Sequence, residues 1–155
     1  MPGRIDTRLK ELKIELPNAS APAANYVPYV RTGNLLFMAG QVCQWNGERR
    51  FIGKLGREFT IEQGQEAARL CGLNLLAQAK AALGGDLDRI VRCVRLGGFV
   101  NSTADFLEQP RVVNGASDLM VDVLGDAGRH ARTAIGTNVL PFDLAVEVDA
   151  VFEVK

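Results

Sequence analysis

Histidine is almost absent from this chain. His130 stands alone among 155 residues, and the three cysteines, Cys43, Cys71 and Cys93, are widely spaced with no C-x-x-C pair. A metal ion needs several ligands at matched spacing, so no metal centre is expected. No G-x-S-x-G, Walker or dinucleotide fingerprint occurs. That removes the usual nucleophile elbow and phosphate cradles. A covalent serine or cysteine mechanism would need a base, and His130 by itself is weak support for one. An excess of positive charge is also missing. Lys+Arg and Asp+Glu number 18 each, for a formal net charge of zero. The electrostatic footprint of a nucleic-acid binder is therefore absent, although zero net charge does not exclude a local patch. No apolar run reaches the roughly 18 residues of a membrane span. The N-terminal MPGRIDTRLKELKIEL is charged throughout and has no apolar segment of the secretory kind. The expectation is a cytoplasmic protein with buried, reduced thiols.

What is present is enough apolar material, 47% of the residues, for one domain with a real core. Residues 4–15 read as a short amphipathic helix with Ile5, Leu9 and Leu12 along one side. Pro17 to Ala24 reads as a surface connection. Residues 26–30 and 35–42 read as strands around a Thr32-Gly33-Asn34 turn. Asn46-Gly47 signals another turn, and Phe51-Ile52 a short further strand. Thr60 and Gln63 have capping-box spacing at the head of a helix over about 61–83, stopped by Gly84-Gly85. Its apolar stripe, Ile61, Gly64, Ala68, Cys71, Leu75, Ala79 and Leu83, is rich in small residues and suits close packing on a sheet. A strand over 87–100 contains Gly97-Gly98, the mark of a bulge or a close approach. A second helix spans about 110–124, with Val112, Ala116, Leu119, Met120, Val123 and Leu124 facing inward. Gly125 to Gly128 forms a turn. Two last strands, about 131–138 and 144–154, flank Leu140-Pro141.

Hairpins mixed with helical crossovers predict an α+β two-layer sandwich, a mixed sheet with both helices on one face. The central strands are apolar on both sides, so the other face also needs cover. A second copy of the chain is the simplest cover, and a homo-oligomer is expected.

Few residues look chemical. Arg132 opens a β-branched run and can grip a carboxylate with two parallel hydrogen bonds; it can equally be solvated, or paired with Asp126 or Glu147. In the last strand Ala145, Glu147, Asp149, Val151 and Glu153 share one face, and Val146, Val148, Ala150, Phe152 and Val154 the other, which is core. Glu147 can be merely solvated, or can act as a base on water if the fold brings it to a site with Arg132. Asn114 sits mid-helix, where asparagine is mildly unfavourable, and so either bonds locally or is aimed at something. Tyr26 and Tyr29 flank Pro28, and each can pack or wall a pocket.

Three blocks then agree in order: GNLLFMAGQV at 33–42, GFVNSTADF at 98–106 followed by VVNGASD at 112–118, and ARTAIGTNVLPFDLAVEVDAVFEV at 131–154. Together they resemble the reactive-intermediate deaminase family, also called Rid or YjgF-type and, in older usage, endoribonuclease L-PSP. The resemblance covers roughly residues 22–154, leaving 1–21 as a helical N-terminal extension of a single domain. It implies a chorismate-mutase-like fold and a homotrimer around a central β-barrel, with clefts between subunits. It also implies cofactor-free hydrolysis of small 2-imino or enamine acids to 2-keto acids and ammonia. By resemblance Arg132 binds the substrate carboxylate and Glu147 positions the water. Asn114 and Tyr26 line the cleft, and Gly40 supplies close backbone.

Four departures stand out. The N-terminal extension is longer than in compact members, an insertion falls around Leu107 to Arg111, Ala134 replaces a cysteine found in some members, and Ala39 replaces a frequent Ser or Thr. Two other readings remain. One is a non-catalytic trimer that senses a small carboxylate with the same arginine. The other is an RNA-directed activity, such as translation inhibition or RNA cleavage, which neutral charge and the lack of a basic-aromatic strip disfavour.

Overall fold

The computed structural model describes residues 1–21 and 24–155; residues 22 and 23, inside the predicted surface connection, lie outside the described residues. Helix α1 is Arg4–Glu11, α2 Ile61–Ala82 and α3 Gln109–Leu124. The strands are β1 Tyr29–Thr32, β2 Leu35–Val42, β3 Gln44–Trp45, β4 Glu48–Arg49, β5 Ile90–Asn101, β6 Ala131–Thr137 and β7 Val146–Val154. Five of them form one sheet in the order β1-β2-β7-β5-β6, in which only β5 and β6 run parallel. The α+β layering expected from the sequence is what forms, with α2 and α3 on one face of the sheet.

β7 lies at the centre and alternates strictly, buried then half-buried, along its length. Val146, Val148, Ala150, Phe152 and Val154 point into the core under the helices. The capping box at Thr60 and Gln63 is made as expected, and α2 ends at two glycines with positive φ. Burial on α2 is wider than one stripe, because α3 covers its flank. Gly115 makes this possible: a Cβ there would overlap the Gln65 carbonyl of α2.

Several boundaries move for local reasons. The first strand begins at Tyr29 rather than 26, because Pro28 has no N–H to give a ladder. The Asn46-Gly47 turn closes a β3–β4 hairpin, with φ of 48° and 85° at its two residues. Phe51 at φ 58° ends that run, so Ile52 makes only a single bridge, to Leu144. Gly97-Gly98 carries no bulge. The irregularities of β5 fall between Ile90 and Arg92 and between Cys93 and Arg95, and Gly98 instead leaves room for Val113 of α3.

α1 is fastened to the body. The Asp88 carboxylate accepts from the Arg4 and Ile5 backbone N–H groups at 2.7 and 2.8 Å, and Lys80 pairs with Asp6 at 2.9 Å. Ile5 and Leu9 are buried. Cys43, Cys71 and Cys93 are free and buried, as expected; burial pushes the Cys93 thiol up to about 12. The sheet face away from the helices is bare in one chain, with Val30, Phe37 and Ile135 exposed on it. Among the described residues no helix is long and apolar enough to cross a membrane.

Gly115→Ala should force α2 and α3 apart. Overpacking of this kind costs about 1–3 kcal/mol, and thermal unfolding should show a Tm lowered by several degrees. An unchanged Tm would mean that the helix pair has slack at this contact.

Candidate functional site

Glu147 opens into a cavity of about 370 Å³. Its base is β2 at Ala39–Val42 and its walls are the β3–β4 hairpin, the Pro141–Leu144 turn, Tyr26 and Pro28. The strand under the carboxylate is irregular: pairing of β2 with β7 slips between Met38 and Gln41. Gly40 sits in that slip. A Cβ there would lie 2.7 Å from Glu147 Oε1, so the carboxylate occupies space that any side chain at 40 would take. Burial, and then the negative charge of Asp149, raise the Glu147 pKa above its ordinary 4.5. Asp149 itself is partnered by Arg95 at 3.6 Å.

The chain after α1 reaches this cavity. Ser20 and Ala21 line it. The Ser20 carbonyl accepts from Gln78 Nε2 of α2 at 2.6 Å, which anchors that wall.

Arg132 is elsewhere. Register places it beside Leu96 and Ala150, on the helix side of the sheet, whereas Glu147 aligns with Phe99 and Ile135 on the open side. The two are two strands apart and on opposite faces, so one chain does not join them. Arg132 Nη1 donates to Asn114 Oδ1 at 2.8 Å and to Ser117 Oγ at 3.1 Å, and Nη2 donates to the Pro110 carbonyl at 3.3 Å. Asn114 is thus aimed at the arginine from α3. Behind it, His130 Nδ1 lies 2.6 Å from the Gly128 carbonyl and so carries a proton. In the neutral ring Nε2 then accepts from the Ser117 hydroxyl at 2.9 Å. A chain of hydrogen bonds, Gly128 to His130 to Ser117 to Arg132, fixes the guanidinium.

The turn opposite Glu147 is strained. Phe142 and Asp143 have φ of 59° and 58°, a region costly for residues with side chains. Asp143 is held by Asn101 Nδ2 at 2.9 Å, and Asn101 is itself fully buried. The turn presents the Phe142 ring beneath Arg49, whose guanidinium carbon lies 3.4 Å from the ring centroid.

Of the residues named from sequence, Tyr26, Gly40 and Glu147 meet in one cavity, and Arg132 and Asn114 meet in a second place. Ser117 and His130 were not anticipated around Arg132, although the i, i+3 spacing of Asn114 and Ser117 places both on one side of α3. Arg49 was missed altogether, since a surface arginine in a short hairpin gives no periodic signal. Among the described residues no group of His, Cys, Asp and Glu is arranged to hold a metal ion.

Comparison with known proteins agrees with this architecture. The family model described as "YjgF/chorismate_mutase-like, putative endoribonuclease" matches residues 6–153. Protein TCP17 of Trypanosoma cruzi is 50% identical over 154 residues, covering 99% of this chain and 96% of its own. The crystal structure of Atu1372 from Agrobacterium tumefaciens, a protein of unknown function, is 49% identical with a TM-score of 0.91, over 97% of this chain and 92% of that one. A Shewanella oneidensis protein is 36% identical with a TM-score of 0.94, over 98% of this chain and all of that one. The chain belongs to the YjgF/chorismate-mutase-like family, the group its three sequence blocks resemble.

Two outcomes follow from the geometry. A carboxyl whose folded pKa is raised costs stability once pH rises through that pKa. Glu147→Gln should therefore raise Tm near pH 7, and the gain should vanish as pH falls below 4.5, where the wild-type carboxyl is also protonated. Equal or lower Tm at both pH values would contradict the unfavourable burial. Ser117→Ala should loosen Arg132, which keeps its bonds to Asn114 and the Pro110 carbonyl, and should lower about tenfold any affinity of this arginine for a carboxylate, as for loss of one hydrogen bond to a charged group. Titration with a small 2-keto acid reads it, and unchanged affinity would separate Ser117 from the arginine.

Proposed function

We propose that this member of the family hydrolyses small 2-imino acids to 2-keto acids and ammonia, without a cofactor, at sites shared between copies of the chain. The observation that carries the reading is Glu147: a carboxylate of raised pKa, half-buried in a cavity of ligand size, with no side chain among the described residues neutralising it. Such a group is suited to take a proton from water. Attack of that water on the imine carbon forms the C–O bond as the C=N π pair moves to nitrogen, and Glu147 holds the water's proton for the departing nitrogen. The nitrogen then leaves as ammonia after protonation, and the carbonyl of the keto acid forms.

The reaction also needs a grip on the carboxylate, and Arg132 offers a guanidinium held by Asn114 and Ser117. In one chain it stands away from Glu147. A head-to-tail ring resolves this, because Arg132 is on edge strand β6 while the Glu147 cavity lies toward the β1–β2 edge. The arginine edge of one copy would meet the cavity edge of the next. The bare apolar sheet face would close inside the ring, and a trimer of this kind is what the resemblance implies.

A pyridoxal-phosphate dehydratase acting on threonine or serine supplies the imine, and keto-acid release is followed with and without this protein. Wild type should accelerate release. Arg132→Ala and Glu147→Gln should each lose at least about 10²-fold while keeping the wild-type sedimentation profile. The acid limb of kcat/KM should lie above pH 4.5, because the Glu147 carboxyl must be ionised to accept a proton. Saturable keto-acid binding with no acceleration would point to ligand sensing instead, and full activity in Arg132→Ala would overturn the assignment.

A further inference from the structure

We propose that Arg49 is a second anion anchor in the Glu147 cavity, and that it favours imino acids carrying a second carboxylate on their side chain. The inference rests on the deaminase reading and deepens it.

Arg49 lines the same cavity as Glu147, from the same chain. Its register partner across the hairpin, Gln44, lines it too, so the β3–β4 ribbon presents one polar wall. The neighbouring Arg50 is paired with Glu48 at 3.8 Å. Among the described residues Arg49 has no acidic partner, and its defined contact is the Phe142 ring. Stacking fixes the guanidinium plane and shields one face, while the N–H edge stays free to meet a carboxylate. The ring is held there by a turn in left-handed backbone, locked through Asp143 to buried Asn101. An arginine merely solvated at the surface would need none of this.

Glu147 and Arg49 do not pair with each other, so the cavity keeps one anionic and one cationic group uncancelled. In the shared site the α-carboxylate goes to Arg132 of the adjoining copy. Arg49 then has no task for a short monocarboxylic imine. The volume, about 370 Å³, falls in the range of small-molecule sites, about 300–1,000 Å³, and leaves room for a longer chain. Gln44 and Gln78 line that room too, and their amides donate to Ser20 and so hold the rim in place.

The test compares imines made in place by an amino-acid oxidase: 2-iminoglutarate from glutamate against 2-iminobutyrate from 2-aminobutyrate. Wild type, Arg49→Ala and Arg49→Met are run together, the methionine keeping an apolar stem over Phe142. The ratio of kcat/KM for the dicarboxylate to that for the monocarboxylate should favour the dicarboxylate in wild type. It should fall roughly 10- to 100-fold in both variants, mainly through KM. An unchanged ratio overturns the inference while leaving the deaminase reading intact. Failure of wild type on every imine overturns the deaminase reading. Calorimetric binding of 2-oxoglutarate and 2-oxobutyrate then still decides Arg49: loss of the 2-oxoglutarate preference in both variants upholds the anchor, and equal affinities in all three proteins reject it.

Discussion

The two-residue period of β7 governs this molecule. A strand places successive side chains on opposite faces, and β7 uses both faces for different ends. Val146 to Val154 bury every second side chain under α2 and α3. Glu147 and Asp149, on the alternate positions, face away from the helices. A shift of one residue would exchange the two faces, driving the carboxylates of Glu147, Asp149 and Glu153 into the core and an apolar row outward. The position of the candidate base and the integrity of the core are therefore set by one register. That register is held on both sides, by β2 and β5.

The parts of the fold that were legible in the sequence are those where one pattern decides. β7, α2 with its Thr60–Gln63 box, and α3 declared themselves by period and capping. What was not legible depended on single backbone facts. Pro28 delays β1, and left-handed Phe51 cuts short a strand that composition alone suggested. Gly97-Gly98 reads equally as bulge or close approach, and the choice belongs to Val113, which is distant in sequence.

The site divides in the same way. Alternation along the last strand singled out Glu147, the family's pattern added Gly40 and chose Tyr26 over Tyr29, and the fold gathers the three. The coupling of Gly40 to Glu147 is visible only once β2 is seen to slip beside the carboxylate. Arg132 and Glu147 look adjacent along the chain, but a parallel β5–β6 pair carries Arg132 to the sheet edge and onto the helix side. Sequence distance could not reveal that separation, because it arises from the crossover through α3.

The segment that follows α1 has an evolutionary consequence. Ser20 and Ala21 form part of the cavity rim, tied by Gln78 yet supplied by a stretch lying outside the sheet. The mouth of the cavity can therefore be widened or narrowed by changing the length of the leading segment, with no change to β7, β2 or the helices. Descendants of one scaffold can in this way diverge in the molecules they admit while the strands that floor the cavity stay constant.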